Sequence, residues 1–236
     1  ENPAPPAADS IEKYDKEKFL NDVYMTEAKY DRLVAVLKKK KNIILQGAPG
    51  VGKTFAAKRL AYSIMGEKDD DRIEFVQFHQ NYSYEDFMMG YKPVEDGFEL
   101  KYGIFYPDKD YFFIIDEINR GNMSKIFGEL LMLIEADYRD TKATLAYNGL
   151  SFSVPKRLHI IGMMNTADRS LAMIDYALRR RFSFFDMEPG FDSEGFIKYQ
   201  EGFANDTFNT LIDRIKELNR EIAKDKSLGK GFCIGH

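Results

Sequence analysis

Gly47-Ala48-Pro49-Gly50-Val51-Gly52-Lys53-Thr54 is the stretch on which the fold turns. It satisfies G-x-x-x-x-G-K-[ST] at every fixed position. The apolar segment before it, Asn42-Ile43-Ile44-Leu45-Gln46, reads as a short strand, and Phe55 to Tyr62 after it reads as a helix. Strand, glycine-rich turn and helix in that order make a phosphate cradle. The glycines carry no Cβ, so backbone N–H groups can close on phosphate oxygens, and the helix N-terminus adds partial positive charge. Lys53 supplies a point charge for the outer phosphates and Thr54 a hydroxyl for magnesium. Nucleotide contacts are therefore expected at Gly47, Pro49, Gly50, Val51, Gly52, Lys53, Thr54 and Phe55.

A second apolar run, Tyr111-Phe112-Phe113-Ile114-Ile115, ends in Asp116-Glu117. A run without polar alternation suits a strand buried on both faces of a parallel sheet. The carboxylates fall where that strand leaves the core. Asp116 would hold magnesium through water; Glu117 would take a proton from the attacking water or orient it. The two stretches together imply binding of a nucleoside triphosphate with a divalent metal, followed by hydrolysis.

Composition restricts the setting. The chain has 236 residues, enough for one large domain with a small lid, and its 44% hydrophobic and 31% charged content is that of a globular protein. A net charge of −4 offers no global basic field for nucleic acid, so any DNA contact must be local or made by another domain. The single cysteine, Cys233, excludes an internal disulfide framework and suits a reducing cytoplasm. No apolar run reaches membrane-spanning length. Residues 1–15 open with Glu1-Asn2-Pro3-Ala4-Pro5-Pro6 and read as linker, and the end at His236 falls in a semi-apolar stretch; a fragment of a longer protein is expected.

Alternation of strand and helix signals organises the rest. A helical region is expected over about 10–40, ending before Lys38-Lys39-Lys40-Lys41, a run that complements a helix C-terminus. Strands are expected at 72–78, 159–164 and 182–186, and a hairpin within 97–105. A second hairpin is expected around Asn148-Gly149, and helices over 81–87, 123–136, 170–181 and from 191 onward. The fold class is α/β: a three-layer αβα phosphate-loop core over 16–190 with a parallel sheet, then an incomplete helical lid over 191–236.

Asn165-Thr166-Ala167-Asp168-Arg169-Ser170 follows the strand ending at Met164. If that strand neighbours the loop strand, Asn165 lies beside the γ-phosphate, with Asp168 close by. Asn-x-x-Asp also matches the guanine-reading element of small GTPases, although Thr166 stands where that element has lysine. Asp168 also suits a helix cap. Arg179-Arg180-Arg181 closes the next helix. Arginines there can offset the helix dipole or reach a neighbouring subunit's nucleotide, where a planar guanidinium stabilises transition-state charge.

The order of loop, Asp-Glu strand, polar strand end and arginine-bearing helix resembles the AAA+ superfamily. Val76 to Phe87, Ile114 to Arg120, Met164 to Ser170, Asp175 to Phe182 and Leu228 to His236 are similar to the McrB family, from about residue 20 to the end. That resemblance implies an AAA+ motor that uses GTP and Mg2+, forms hexameric rings and recruits an McrC-type endonuclease subunit. It implies restriction of DNA bearing modified cytosine in a prokaryotic cytoplasm, with the base read by a separate N-terminal domain that these residues do not contain. Lys53 and Thr54 match the family's loop pair, and Asp116 and Glu117 its metal and water pair. Asn165 matches the sensor, Asp168 its acidic companion, and Arg180 and Arg181 the trans-acting arginines. The span between Phe105 and the acidic strand is shorter than in these relatives. An ATP-driven remodeller of MoxR type is the competing reading. Intact Glu117 argues against a scaffold that does not hydrolyse.

Overall fold

The computed structural model describes residues 12–79, 81, 89–94, 97–102, 109–128, 130–144, 151–167 and 179–235. Helices α1 (Lys16–Asp22) and α2 (Glu27–Lys40) lead into β1 (Asn42–Gly47) and α3 (Lys53–Met65). Next come β2 (Ile73–Gln77), the antiparallel pair β3 (Met89–Val94) and β4 (Gly97–Tyr102), and β5 (Tyr111–Asp116). Two short helices, α4 (Met123–Phe127) and α5 (Leu130–Leu133), precede a small ladder of β6 (Ala143–Thr144) and β7 (Ser151–Phe152). The core closes with β8 (Leu158–Asn165) and β9 (Ser183–Met187), and α6 (Glu194–Phe203) and α7 (Asp206–Lys224) follow.

Five strands form one parallel sheet in the order β2-β5-β8-β1-β9. The apolar runs are continuous because both faces are covered. Successive residues alternate between two cores. Ile43, Leu45, Phe112, Ile114, Ile161 and Met163 pack with Leu33, Leu37, Ala57 and Leu60 from α2 and α3. Ile44, Phe113, Ile115, Leu158 and Ile160 pack with Ile126, Phe127, Leu130 and Leu133 on the other side. This is the expected three-layer arrangement, and it brings the C-terminal ends of β1, β5 and β8 side by side.

Several expected elements differ in detail. The first helical region is two helices, capped by Asp15 and Thr26, and Lys38 to Lys40 lie inside α2, which ends where Lys41 turns left-handed at φ 67°. Residues 13–15 are not linker: Tyr14 is 1% exposed, and its N–H donates to the Gly66 carbonyl. The single helix over 123–136 is interrupted at Gly128, whose φ is +47°. Within 97–105, Gly97–Tyr102 is one strand whose hairpin partner is β3. The expected helix over 81–87 falls outside the described residues beyond Asn81, as does that over 170–181 up to residue 178; the Asn148-Gly149 turn also lies outside them.

The residues after β9 form a small core of their own, Phe191, Phe196 and Ile212, with Tyr24 against it. Asn219 of α7 clamps the backbone of Ile234 from both sides, its Nδ2 donating to the carbonyl at 2.9 Å and its Oδ1 accepting from the N–H at 2.7 Å. That clamp holds Gly235 against the phosphate loop, where a Cβ would meet the Gly50 carbonyl oxygen at 2.2 Å.

Candidate nucleotide site

The phosphate loop runs from the end of β1 to the start of α3. Gly50 and Gly52 take φ of 79° and 73°, a region open to glycine and strained for other residues. Gly47 answers a different need: a Cβ there would lie 2.3 Å from the Met187 carbonyl oxygen of β9. Val51 is buried, whereas Pro49, Thr54 and Phe55 are exposed. Phe55 carries the Arg59 guanidinium 3.2 Å above its ring, and Arg59 in turn pairs with Asp22.

Lys53 is 8% exposed, rare for a lysine. Its ammonium donates to the Gly47 carbonyl at 3.1 Å, the Ala48 carbonyl at 2.8 Å and Asn165 Oδ1 at 2.7 Å. Burial pushes its pKa below the ordinary lysine value, and the charges of Glu117 and Asp116 pull it back up.

Asn165 stands opposite Gly47 in the β1–β8 register, so the condition for its expected place is met. Its Nδ2 donates to Glu117 Oε1 at 2.7 Å. Glu117 follows β5 in a left-handed conformation with φ 51°, and its N–H donates to Asp116 Oδ1 at 2.9 Å. Glu117 Oε2 accepts no hydrogen bond and lies 3.3 Å from Arg120 Nε. Lys53, Asn165 and Glu117 thus form one continuous side-chain relay from the loop to the acidic strand end.

The arginine pair is split. Arg180 is exposed. Arg181 instead turns inward, its Nε donating to the Leu131 carbonyl and its Nη2 lying 2.9 Å from Glu135. A guanidinium tied this way to its own chain is a poor candidate for reaching a neighbour. Asp168 lies outside the described residues. Sequence reasoning assigned no role to Arg120, although its i,i+3 spacing from Glu117 was a usable signal. It also missed the approach of Gly235 to the loop, which no local pattern announces.

A cavity of about 610 Å³ opens behind the loop, between Gly47, Thr166 and Asp186 on one side and Arg220 and Lys230 on the other. Lys53, Thr54, Asp116 and Glu117 do not line it, so it is distinct from the phosphate side of the loop. Among the described residues no group of three or more His, Cys, Asp and Glu side chains could hold a metal. Thr54 and Asp116 offer hard oxygen donors, which suits a magnesium ion held partly by phosphate and water oxygens.

Comparison with known proteins agrees with this geometry. The family model described as AAA domain (dynein-related subfamily) matches residues 42–182. The chain is 51% identical over 98% of its length to the Type IV methyl-directed restriction enzyme EcoKMcrB subunit of Escherichia coli K12, and spans 54% of that protein. It is 29% identical to the Type II restriction enzyme BsuMI component YdiS of Bacillus subtilis, over 81% of this chain and 72% of that one. A solved structure of a candidate ATPase from Cytophaga hutchinsonii superposes with a TM-score of 0.50 at 16% identity, covering 72% of this chain and 48% of that one, which speaks for the fold alone. The McrB resemblance read from the motifs is therefore borne out.

Proposed function

We propose that this chain, which belongs to the AAA domain family in its dynein-related subfamily, is the GTP-hydrolysing motor module of a modified-cytosine-dependent DNA restriction complex. At the coarser level it is a nucleoside triphosphatase. The restriction part of the proposal rests on the 51% identity to a methyl-directed restriction subunit, and the observation that carries its hydrolytic part is the relay from Lys53 through Asn165 to Glu117. It links the group that meets the outer phosphates to the group that meets the attacking water.

The relay has a direct chemical use. The oxygens that now hold the Lys53 ammonium are loop carbonyls and an amide. Phosphate oxygens are stronger partners because they are charged. When Lys53 turns to them, Asn165 Oδ1 is released and its amide can turn toward the γ-phosphate. Glu117 Oε1 then loses its Asn165 donor and is free to accept a proton from water. Backbone N–H groups of the loop and the α3 N-terminus hold the phosphates. Thr54 and Asp116 would hold Mg2+, which when bound neutralises charge on phosphate oxygens. Asp168 is proposed as the companion of Asn165. Of the two arginines, Arg180 is the one we assign to a neighbouring subunit's nucleotide, because Arg181 is committed to Glu135.

Identity to a methyl-directed restriction subunit supports the rest: a hexameric ring, stimulation by an McrC-type endonuclease subunit, DNA recognition through a separate N-terminal domain, and action in a prokaryotic cytoplasm. Among the described residues no helix is long and apolar enough to cross a membrane. The test is phosphate release with GTP and with ATP in parallel, with and without the McrC-type partner. GTP-specific turnover raised by the partner is expected. ATP preference with no response to the partner would overturn the restriction reading in favour of a protein-remodelling ATPase.

A further inference from the structure

We propose that Arg120 is a positioning residue for Glu117, holding the carboxylate oxygen that does not react so that the other meets the water. The inference rests on the reading of Glu117 as the group that activates water.

The two oxygens of Glu117 are held in different ways. Oε1 accepts from Asn165 Nδ2 at 2.7 Å, and Asn165 is itself held by Lys53. Nucleotide must recruit Lys53, so the grip on Oε1 is released by the substrate. Oε2 lies 3.3 Å from Arg120 Nε, and Arg120 sits on the short helical turn Ile118–Arg120 directly after Glu117. Among the described residues, the contacts of that second grip involve no residue of the phosphate loop. The backbone reinforces it: the Arg120 N–H donates to the Glu117 carbonyl at 2.8 Å, and the Glu117 N–H donates to Asp116 Oδ1. Glu117 holds a φ of 51°, a sparsely populated conformation that persists only where its surroundings over-determine it. A base oriented by a third group is the arrangement needed when a proton must leave along one direction.

The step itself is simple in its balance. The water oxygen bonds to the γ-phosphorus while one of its protons passes to Glu117 Oε1. The bond from the γ-phosphorus to the β–γ bridging oxygen breaks, and its electron pair leaves with the nucleoside diphosphate. Arg120 touches none of these atoms. Its ion pair draws Oε2 to the Arg120 side, so that Oε1 points outward once Asn165 lets go. The Arg120 side chain is 44% exposed, so the pair is partly solvated and its loss should be read in rate rather than in stability.

The experiment compares Arg120→Ala, Arg120→Lys and Glu117→Gln in the protein assembled with its McrC-type partner. Steady-state GTP hydrolysis and the affinity for a fluorescent GTP analogue are measured for each. Arg120→Ala is expected to lower kcat roughly ten- to hundredfold with KM and analogue affinity unchanged. Arg120→Lys is expected to recover part of that loss. If Arg120→Ala does not fold, Arg120→Gln carries the same expectation. Wild-type kcat in the alanine variant, a change confined to KM, or a lysine variant no better than alanine would each overturn the proposal. Undiminished turnover in Glu117→Gln would instead remove the assignment of the base, and the Arg120 proposal with it.

Discussion

Two polar networks sit at opposite ends of the same parallel sheet, and they are built on different rules. At the C-terminal ends of β1, β5 and β8, the chain of contacts runs mainly between side chains: Lys53, which also donates to the loop carbonyls of Gly47 and Ala48, holds Asn165, Asn165 holds Glu117, and Glu117 lies beside Arg120. At the N-terminal ends, side chains mostly hold backbone. Arg139, 3% exposed, donates from Nε to the Ile134 carbonyl and from Nη1 to the carbonyls of Leu158 and Pro155, while its Nη2 meets Asn42 Oδ1 at 2.7 Å. Asn42 Nδ2 completes that network on the carbonyls of Ile134 and Arg181. Burial lowers the Arg139 pKa to about 10, so it stays charged at neutral pH, with no carboxylate among those partners. A network that ends on backbone carbonyls buried beneath the sheet offers a ligand no side chain to displace. A network of side chains can exchange every partner for a phosphate or a water. One end of the sheet is a fastening and the other is a switch.

The largest effect that would test this contrast lies at the switch. Glu117→Gln keeps the Asn165 contact and removes the base; turnover should fall by roughly 10²- to 10⁴-fold while nucleotide binding by equilibrium titration is retained. At the fastening the consequence should be thermodynamic. Arg139→Met leaves Asn42 Oδ1 and the carbonyls of Leu158 and Pro155 without that donor, and urea unfolding should show a loss of about 3 kcal/mol or more. A stable Arg139→Met protein with damaged catalysis would reverse the two assignments.

His159 gives a pH handle on the same lower end. It is buried, stacked on Phe112, and its Nδ1 has no hydrogen-bond partner. Burial, helped by the positive charges of Lys41 and Arg139, lowers its pKa from 6.5 to about 4. Because the folded pKa lies below the unfolded one, the unfolded chain binds more protons between these values. Its contribution is therefore fully present above pH 6.5 and is lost as pH falls through that window to about 4, up to about 3 kcal/mol. Chemical denaturation across that window should be steeper in the wild type than in His159→Leu; equal slopes would refute the assignment. The smallest effect separates the two arginines. Arg181→Ala should cost about 1 kcal/mol through loss of the Glu135 pair and the Leu131 contact, and Arg180→Ala should leave the melting temperature unchanged.

The legible parts of the molecule were the local ones. Gly47 to Thr54 and Asp116-Glu117 can be read directly, because phosphate cradling and metal binding constrain consecutive residues. Asn165 was legible on one condition, adjacency of β8 to β1, which is how the strands pair. Gly128 shows where periodicity misled: Ile126, Phe127, Leu130 and Ile134 keep helical spacing and all are buried, yet the chain breaks between them at a glycine of positive φ. Arg139 was illegible because nothing in its neighbours signals burial; its partners come from elsewhere in the chain, such as Asn42 and Leu158. Arg181 looked equivalent to Arg180 in the sequence, and Leu131 and Glu135 made them different.

The Asn219 clamp has a mechanical meaning. Gly235 rests on the Gly50 carbonyl, Ile234 is gripped by Asn219, and Asn219 belongs to a helix of 19 residues, about 28 Å long. The crest of the phosphate loop therefore touches a chain segment that α7 holds in place. A Gly50 carbonyl displaced toward Gly235 would press on the segment that Asn219 grips, so the crest of the loop and the C-terminal helix share one point of contact.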